Sequence, residues 1–296
     1  MVPLDFCLPP EDHHDAFCVQ ILIHDDDNDN DNAGMHDTGF VLWPSAVMLS
    51  RYISKHSNVL LLDNGGGDIM EIGAGCGLVG LTAATLLAQK QKQQHDDDDE
   101  EDGGGGGHKA HHHVILTDYN PAVRQVLQRN IALNNLTHCA LVAGLDFFDQ
   151  SSSSHNSNNN NTKEEEEEEE EEDSTTRAAK KKNYWVDMDG TQQPQVGLIL
   201  GADVIAYSND AQLVANTLQA ALREGGHAIL MGPTPDRRFG LEDFPDACRD
   251  IGLHVQMTNI VAAEQEASVT ADLAQTADHH KGYDFLMYTV GKPMEA

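Results

Sequence analysis

The residues best suited to chemistry cluster around one run, D-I-M-E-I-G-A-G-C-G-L-V-G at 68–80. Glu71 stands two positions ahead of Gly73, and Gly75 and Gly77 follow at alternate positions, with Ala74 between the first two. Glycines let backbone approach a ligand closely, and the unpaired N–H groups at the start of a helix face it. Asp118 closes the next apolar run. It lies 45 positions after Gly73, or about 23 once the low-complexity span 91–112 is set aside, close to the ~20 expected of an acid that holds a ribose. A second apolar run ends on Ala202 and Asp203. This pattern describes a nucleotide-type cofactor held over a strand, a tight turn and a helix N-terminus.

Two cofactors satisfy that pattern. Gly75-x-Gly77-x-x-Gly80 matches the dinucleotide fingerprint, in which the first strand is ordinarily apolar and opens the domain. Here a carboxylate, Glu71, sits on that strand, placed to hold the turn or to meet a ligand's ammonium. A Trp43-Pro44-Ser45 helix start precedes it, with proline suited to the first turn. No His-Asp or Tyr-Lys pair for hydride transfer follows. The expected cofactor is therefore S-adenosylmethionine.

The elements that must position these groups alternate. Strands are predicted at 17–24, 68–72, 114–118, 140–143, 197–205, 227–231, 254–258 and 283–290. Helices are predicted after Pro44, after Gly77 with Val79, Ala83, Leu86 and Leu87 on one face, after Pro121 with Val123, Val126, Leu127 and Ile131, around Val214 to Ala221, and at 244–251. The alternation predicts an α/β fold: a Rossmann-like seven-strand sheet, mostly parallel with one antiparallel strand, helices on both faces and an added N-terminal strand. A single domain with its core at about 16–290 is expected, interrupted by low-complexity insertions at 25–32, 91–112 and 151–182 that read as disordered.

Those insertions dominate the charge. They hold 22 of the 49 acids and 7 of the 18 Lys and Arg; removing those acids alone would move the net charge from -31 to -9, and removing the insertions whole moves it to -16. A moderately acidic remainder argues against nucleic acid and anionic membrane as partners. The five cysteines form no C-x-x-C pair, so neither a disulfide framework nor a metal site is expected. With no basic leader and no apolar run near 18 residues, a cytosolic or nuclear location in a reducing compartment follows. The acidic tract before Lys180–Lys182 reads as a solvated loop, with a nuclear address or acidic decoy as the sharper alternative. Arg237-Arg238 reads as a solvated pair, or as one that meets an acidic substrate.

Five segments, G-F-V-L-W-P-S-A, E-I-G-A-G-C-G-L-V-G-L, L-T-D-Y-N-P, R-N-I-A-L-N and L-I-L-G-A-D-V-I, closely resemble the family 16 methyltransferases, the methyltransferase-like 21 group among them. Most of these methylate lysine in non-histone proteins. The resemblance implies that Trp43 packs at the methionine end of the cofactor, Gly73, Ala74 and Gly75 line it, Asp118 binds the ribose, and Ala202 touches it by backbone. The family's Leu-x-Trp after the third strand is Leu145-Asp146-Phe147 here, so Phe147 is placed against adenine and Asp146 near its amino group. Asp203 opens the family's D-x-x-Y motif, but position 206 is alanine and the tyrosine is Tyr207. Asp203 and Tyr207 are thus the catalytic candidates.

The implied partner is a protein bearing a target lysine, met by an enzyme acting as a monomer. Histidine or small-molecule methylation uses the same machinery, and a catalytically silent binding module with acidic insertions is the alternative of another class. Each site residue also has a plain structural role open to it: Trp43 and Phe147 as core, Glu71 as a satisfied buried carboxylate, Asp203 as a cap for the turn after its strand.

Overall fold

The computed structural model describes residues 1–9, 15–23, 38–62, 67–98, 113–147, 184–238, 240–260 and 284–294. The strands are β1 (Val2–Leu8), β2 (Phe17–Ile23), β3 (Ile69–Ile72), β4 (Val114–Asp118), β5 (Ala140–Gly144), β6 (Tyr184–Val186), β7 (Gln192–Pro194), β8 (Val196–Ala202), β9 (Leu222–Pro233), β10 (His254–Ile260) and β11 (Phe285–Gly291). The helices are α1 (Pro44–Lys55), α2 (Ser57–Leu62), α3 (Leu78–Asp98), α4 (Pro121–Leu133), α5 (Asp210–Ala221) and α6 (Phe244–Asp250).

Seven strands form one sheet in the order β10-β11-β9-β8-β3-β4-β5. β9, β8, β3, β4 and β5 run parallel, and β11 is antiparallel to both of its neighbours. The central strands are buried on both faces, every residue of β3 and β4 being buried. Alternation sorts their side chains: Ile69, Leu116, Leu198 and Ile229 join one core with α1, α3 and α4, while Met70, Ile115, Ile199 and Leu230 join the other with α5 and α6. This is the doubly covered, mostly parallel sheet expected from the sequence.

Local chemistry fixes the helix starts. Asn120 caps α4 by accepting from the Ala122 N–H at 2.8 Å, with Pro121 just inside the helix. Trp43 precedes Pro44 in extended conformation at the start of α1.

A second, two-stranded sheet pairs β1 with β2. Its edge is held by α4, because Asn130 and Asn134 sit one turn apart and reach alternate residues of the strand. Asn134 accepts from the Gln20 N–H at 2.8 Å and donates to its carbonyl at 2.7 Å, and Asn130 accepts from the Leu22 N–H at 3.0 Å. The fully buried Asn130 also donates to the Cys76 carbonyl at 2.9 Å, tying the hairpin to the glycine turn.

Four expectations need correction. β1 was not foreseen. It pairs with β2 in a register that sets Cys7 opposite Cys18, with Cα atoms 3.9 Å apart, and the two form a disulfide. Residues 91–98 continue α3, in keeping with Gln and Lys as good helix formers. The rest of that span and all of 151–182 and 25–32 lie outside the described residues. Finally, β8 stops at Ala202, since Asp203 takes a left-handed φ of 58°. No described helix is long and apolar enough to cross a membrane.

Candidate active site

The carboxyl ends of β3, β4, β5 and β8 meet at a cleft of about 410 Å³. Its lining includes Trp43, Glu71, Gly73, Ala74, Gly75, Asp118, Asp146, Phe147, Ala202 and Asp203, residues drawn from 160 positions of chain. Such a crevice at the carboxyl edge of an open parallel sheet is where ligands bind in this architecture.

The floor is the glycine turn. Gly73 and Gly75 take φ of 57° and 52°, conformations that a side-chain-bearing residue rarely adopts. A Cβ at Gly75 would stand 3.2 Å from the Gly39 carbonyl, and one at Gly73 would stand 3.1 Å from Val204 Cγ1. The turn is pinned from below, where the Ala74 N–H donates to the Thr117 carbonyl at 2.8 Å and the Thr117 hydroxyl to the Glu71 carbonyl at 2.8 Å.

Glu71 is 2% exposed, and its Oε2 accepts from the Gly80 N–H in the first turn of α3 at 2.9 Å. Gly80 permits this approach, since a Cβ there would lie 2.5 Å from that oxygen. Burial raises the Glu71 carboxyl to about 8, against the pull of the Gly80 and Val79 N–H groups and with a further push from Asp118. Burial, Glu71 and Asp118 together push the neighbouring Cys76 thiol up to about 12, so it is an inert part of the floor.

Asp118 ends β4, buried, with Oδ2 accepting from the Gly75 N–H at 3.2 Å and Oδ1 from the Asn120 N–H at 2.9 Å. Asp146 and Phe147 follow β5, both half-buried on the far wall. Asp203 crowns β8: its N–H donates to the Met231 carbonyl at 2.8 Å, and the side chain is 6% exposed. Ser45 donates to its Oδ2 at 3.5 Å, and Arg238 donates through Nε to Oδ1 at 3.1 Å. Arg238 also lies over the Trp43 ring, 4.9 Å from its centroid.

Residues 25–161 match the family model Methyltransf_16, described as lysine methyltransferase. The match covers just under half of the chain, which is an S-adenosylmethionine-dependent methyltransferase. Three solved structures resemble the fold more distantly. A protein of Galdieria sulphuraria, provisionally described as a sarcosine dimethylglycine methyltransferase, is 11% identical over 83% of this chain and 86% of its own, with a TM-score of 0.47. A precorrin-6y C5,15-methyltransferase of Geobacter metallireducens is 11% identical over 79% and 87%, with a TM-score of 0.39. An O-methyltransferase of Bacillus cereus in complex with SAH is 14% identical over 86% and 84%, also with a TM-score of 0.39. None of the three places a residue or a substrate in this methyltransferase.

The cleft fits the donor on its own geometry. The Cβ-free floor at Gly73 and Gly75 leaves a cradle that side chains would fill, and the buried Asp118 carboxylate faces the same space.

Every cofactor-binding residue inferred from the sequence lines the cleft, and so does Asp203. Tyr207 does not. Asp210 Oδ2 accepts from both the Ala206 N–H at 2.9 Å and the Tyr207 N–H at 2.8 Å, closing the turn before α5 so that Ala206 lines the cleft while Tyr207 is 73% exposed. Arg238, read as one of a solvated pair, instead engages Asp203. Arg237 does pair outward, with Asp236 at 3.7 Å. The 3-10 turn Thr38–Phe40 was also missed as a wall, although Gly39 belongs to the first of the five motif segments.

Proposed function

We propose that this methyltransferase transfers a methyl group to a lysine side chain of a protein substrate. The observation that carries the reading is Asp203: a shielded carboxylate at the rim of the donor cleft, beside an indole face, with a cation already paired to it. An acid and an aromatic face side by side are what an ammonium seeks.

When bound, the donor supplies an electrophilic methyl on a positively charged sulfur. The chain's own residues do the rest. Gly73 to Gly75 and Asp118 hold the adenosine and ribose, Asp146 and Phe147 flank the base, and Ala202 gives a backbone contact. Glu71 keeps the turn and the first turn of α3 together. Trp43 shields the reacting end from water, which favours an in-line displacement governed by alignment. A lysine must lose a proton before attack. From a reference value of ~10.4 this costs roughly 5 kcal/mol at pH 7, lowered by desolvation against Trp43 and by a nearby cation. Asp203 orients the amine and draws it in, and the proton leaves to water.

Acting as a monomer, in the cytosol or nucleus and without nucleic acid as partner, belongs to the same proposal. A moderately acidic folded part supports a basic protein partner, and the Cys7–Cys18 bond is the one feature that pulls against a reducing compartment.

Tritiated donor incubated with the protein and a cell lysate, followed by mass spectrometry of the labelled band, tests the reading. Label is expected on a lysine Nζ. Label on a histidine ring or a small molecule replaces the substrate class. Bound donor with no label anywhere favours a silent binding module.

A further inference from the structure

Beyond the donor cleft lies a second cavity of about 330 Å³, and the two share only Trp43 and Asp203 in their linings. Pro44, Ser45, Pro233, Arg237, Arg238 and Phe285 complete the second chamber. An amine approaching from that side reaches the donor between the indole and the carboxylate. Arg238 holds that passage. Its Nε–H meets Asp203 Oδ1 at 3.1 Å while its guanidinium lies 4.9 Å from the Trp43 centroid. These are the two contacts an incoming ammonium would make.

A carboxylate 6% exposed is costly to leave without a partner. Arg238, 28% exposed and carried on the segment that follows β9, satisfies it from the solvent side. We propose that Arg238 is an internal stand-in for the acceptor cation: it neutralises Asp203 between turnovers, and the acceptor must exchange for it. The exchange sets specificity. A cationic side chain replaces one charge by another, whereas a hydroxyl that displaces the arginine leaves the buried Asp203 charge without a compensating cation. Arg238 is thus a specificity-determining residue of the acceptor chamber, and it rests on the reading of Asp203 as the acceptor-facing acid.

The probe is n-butylammonium, the lysine side chain without its backbone. Its binding is followed by Trp43 fluorescence in a Trp185→Phe background, since the chain has two tryptophans. Arg238→Gln is expected to bind the probe roughly tenfold more tightly than the wild type, the scale of one displaced, partly shielded ion pair. Arg238→Lys, which keeps a cation in the chamber, should stay near wild type, and adding Asp203→Asn to Arg238→Gln should abolish the gain. Unchanged or weaker binding by a folded Arg238→Gln protein, checked by circular dichroism, overturns the proposal. Because this measurement needs no methyl transfer, tightened binding with no lysine labelled in a lysate would sink the lysine reading and leave the stand-in role intact.

Discussion

The floor of the donor cleft comes from nearly consecutive backbone, whereas the chamber beyond Asp203 is assembled from side chains on four separate segments, at 43–45, 203, 233–238 and 285. The family match at 25–161 covers the glycine turn, Asp118 and Phe147 but only the first of those four segments. The difference teaches where chemistry is fixed and where it is free to vary. A donor common to many enzymes is held by backbone geometry that tolerates few residues, and an acceptor is chosen by side chains that the topology brings together late.

That contrast breaks if the two regions fail to separate energetically. Asp203→Asn, which suits the left-handed backbone there, should lower turnover by about 100-fold or more while S-adenosylhomocysteine affinity by calorimetry stays within about twofold. Loss of both together would merge the two regions into one. Glu71→Gln tests the floor through pH. In the unfolded chain the Glu71 carboxyl titrates near 4.5 and in the folded one near 8, so between those values the unfolded state has shed a proton that the folded state keeps. Raising the pH through that window therefore costs wild-type stability, by up to several kcal/mol. The variant lacks that loss, so denaturant midpoints at pH 6 and pH 8 should lie closer together in Glu71→Gln than in the wild type.

A smaller effect is expected at the ribose end. Asp118→Ala should weaken S-adenosylhomocysteine about tenfold, the worth of one charge-assisted hydrogen bond, and unchanged calorimetry would remove Asp118 from its role. The smallest concerns the turn before α5. Tyr207→Phe should leave turnover within about twofold, because Asp210 directs that side chain to solvent; a larger drop would show that the acceptor chamber reaches past Ala206.

Local spacing made the donor side legible. Glycines, Glu71 and Asp118 act through a turn and the strand beside it, so residue type and interval carry the geometry, and Asn130 and Asn134 lie in a motif segment whose one-turn spacing serves the edge of β2. The acceptor side depends on pairings that no interval encodes. Arg238 meets Asp203 across 35 positions because β8 and β9 run parallel and both end at the same rim. Cys7 meets Cys18 because a strand containing proline and aspartate found an edge partner, which propensity alone does not announce. Whether Ala206 or Tyr207 faces the cleft is decided by which N–H groups Asp210 takes.

The direction of the parallel strands carries one more consequence, for where the acidic tracts join the fold. α3 leads back to the amino end of β4, so Asp98 and Val114 both belong to the side of the sheet away from the cleft. Phe147, by contrast, lines the cleft, and the next described element is β6. The two acidic tracts are therefore joined to the fold at unequal places: the described residues that flank the first stand at the amino edge of the sheet, whereas Phe147, ahead of the second, lines the cleft.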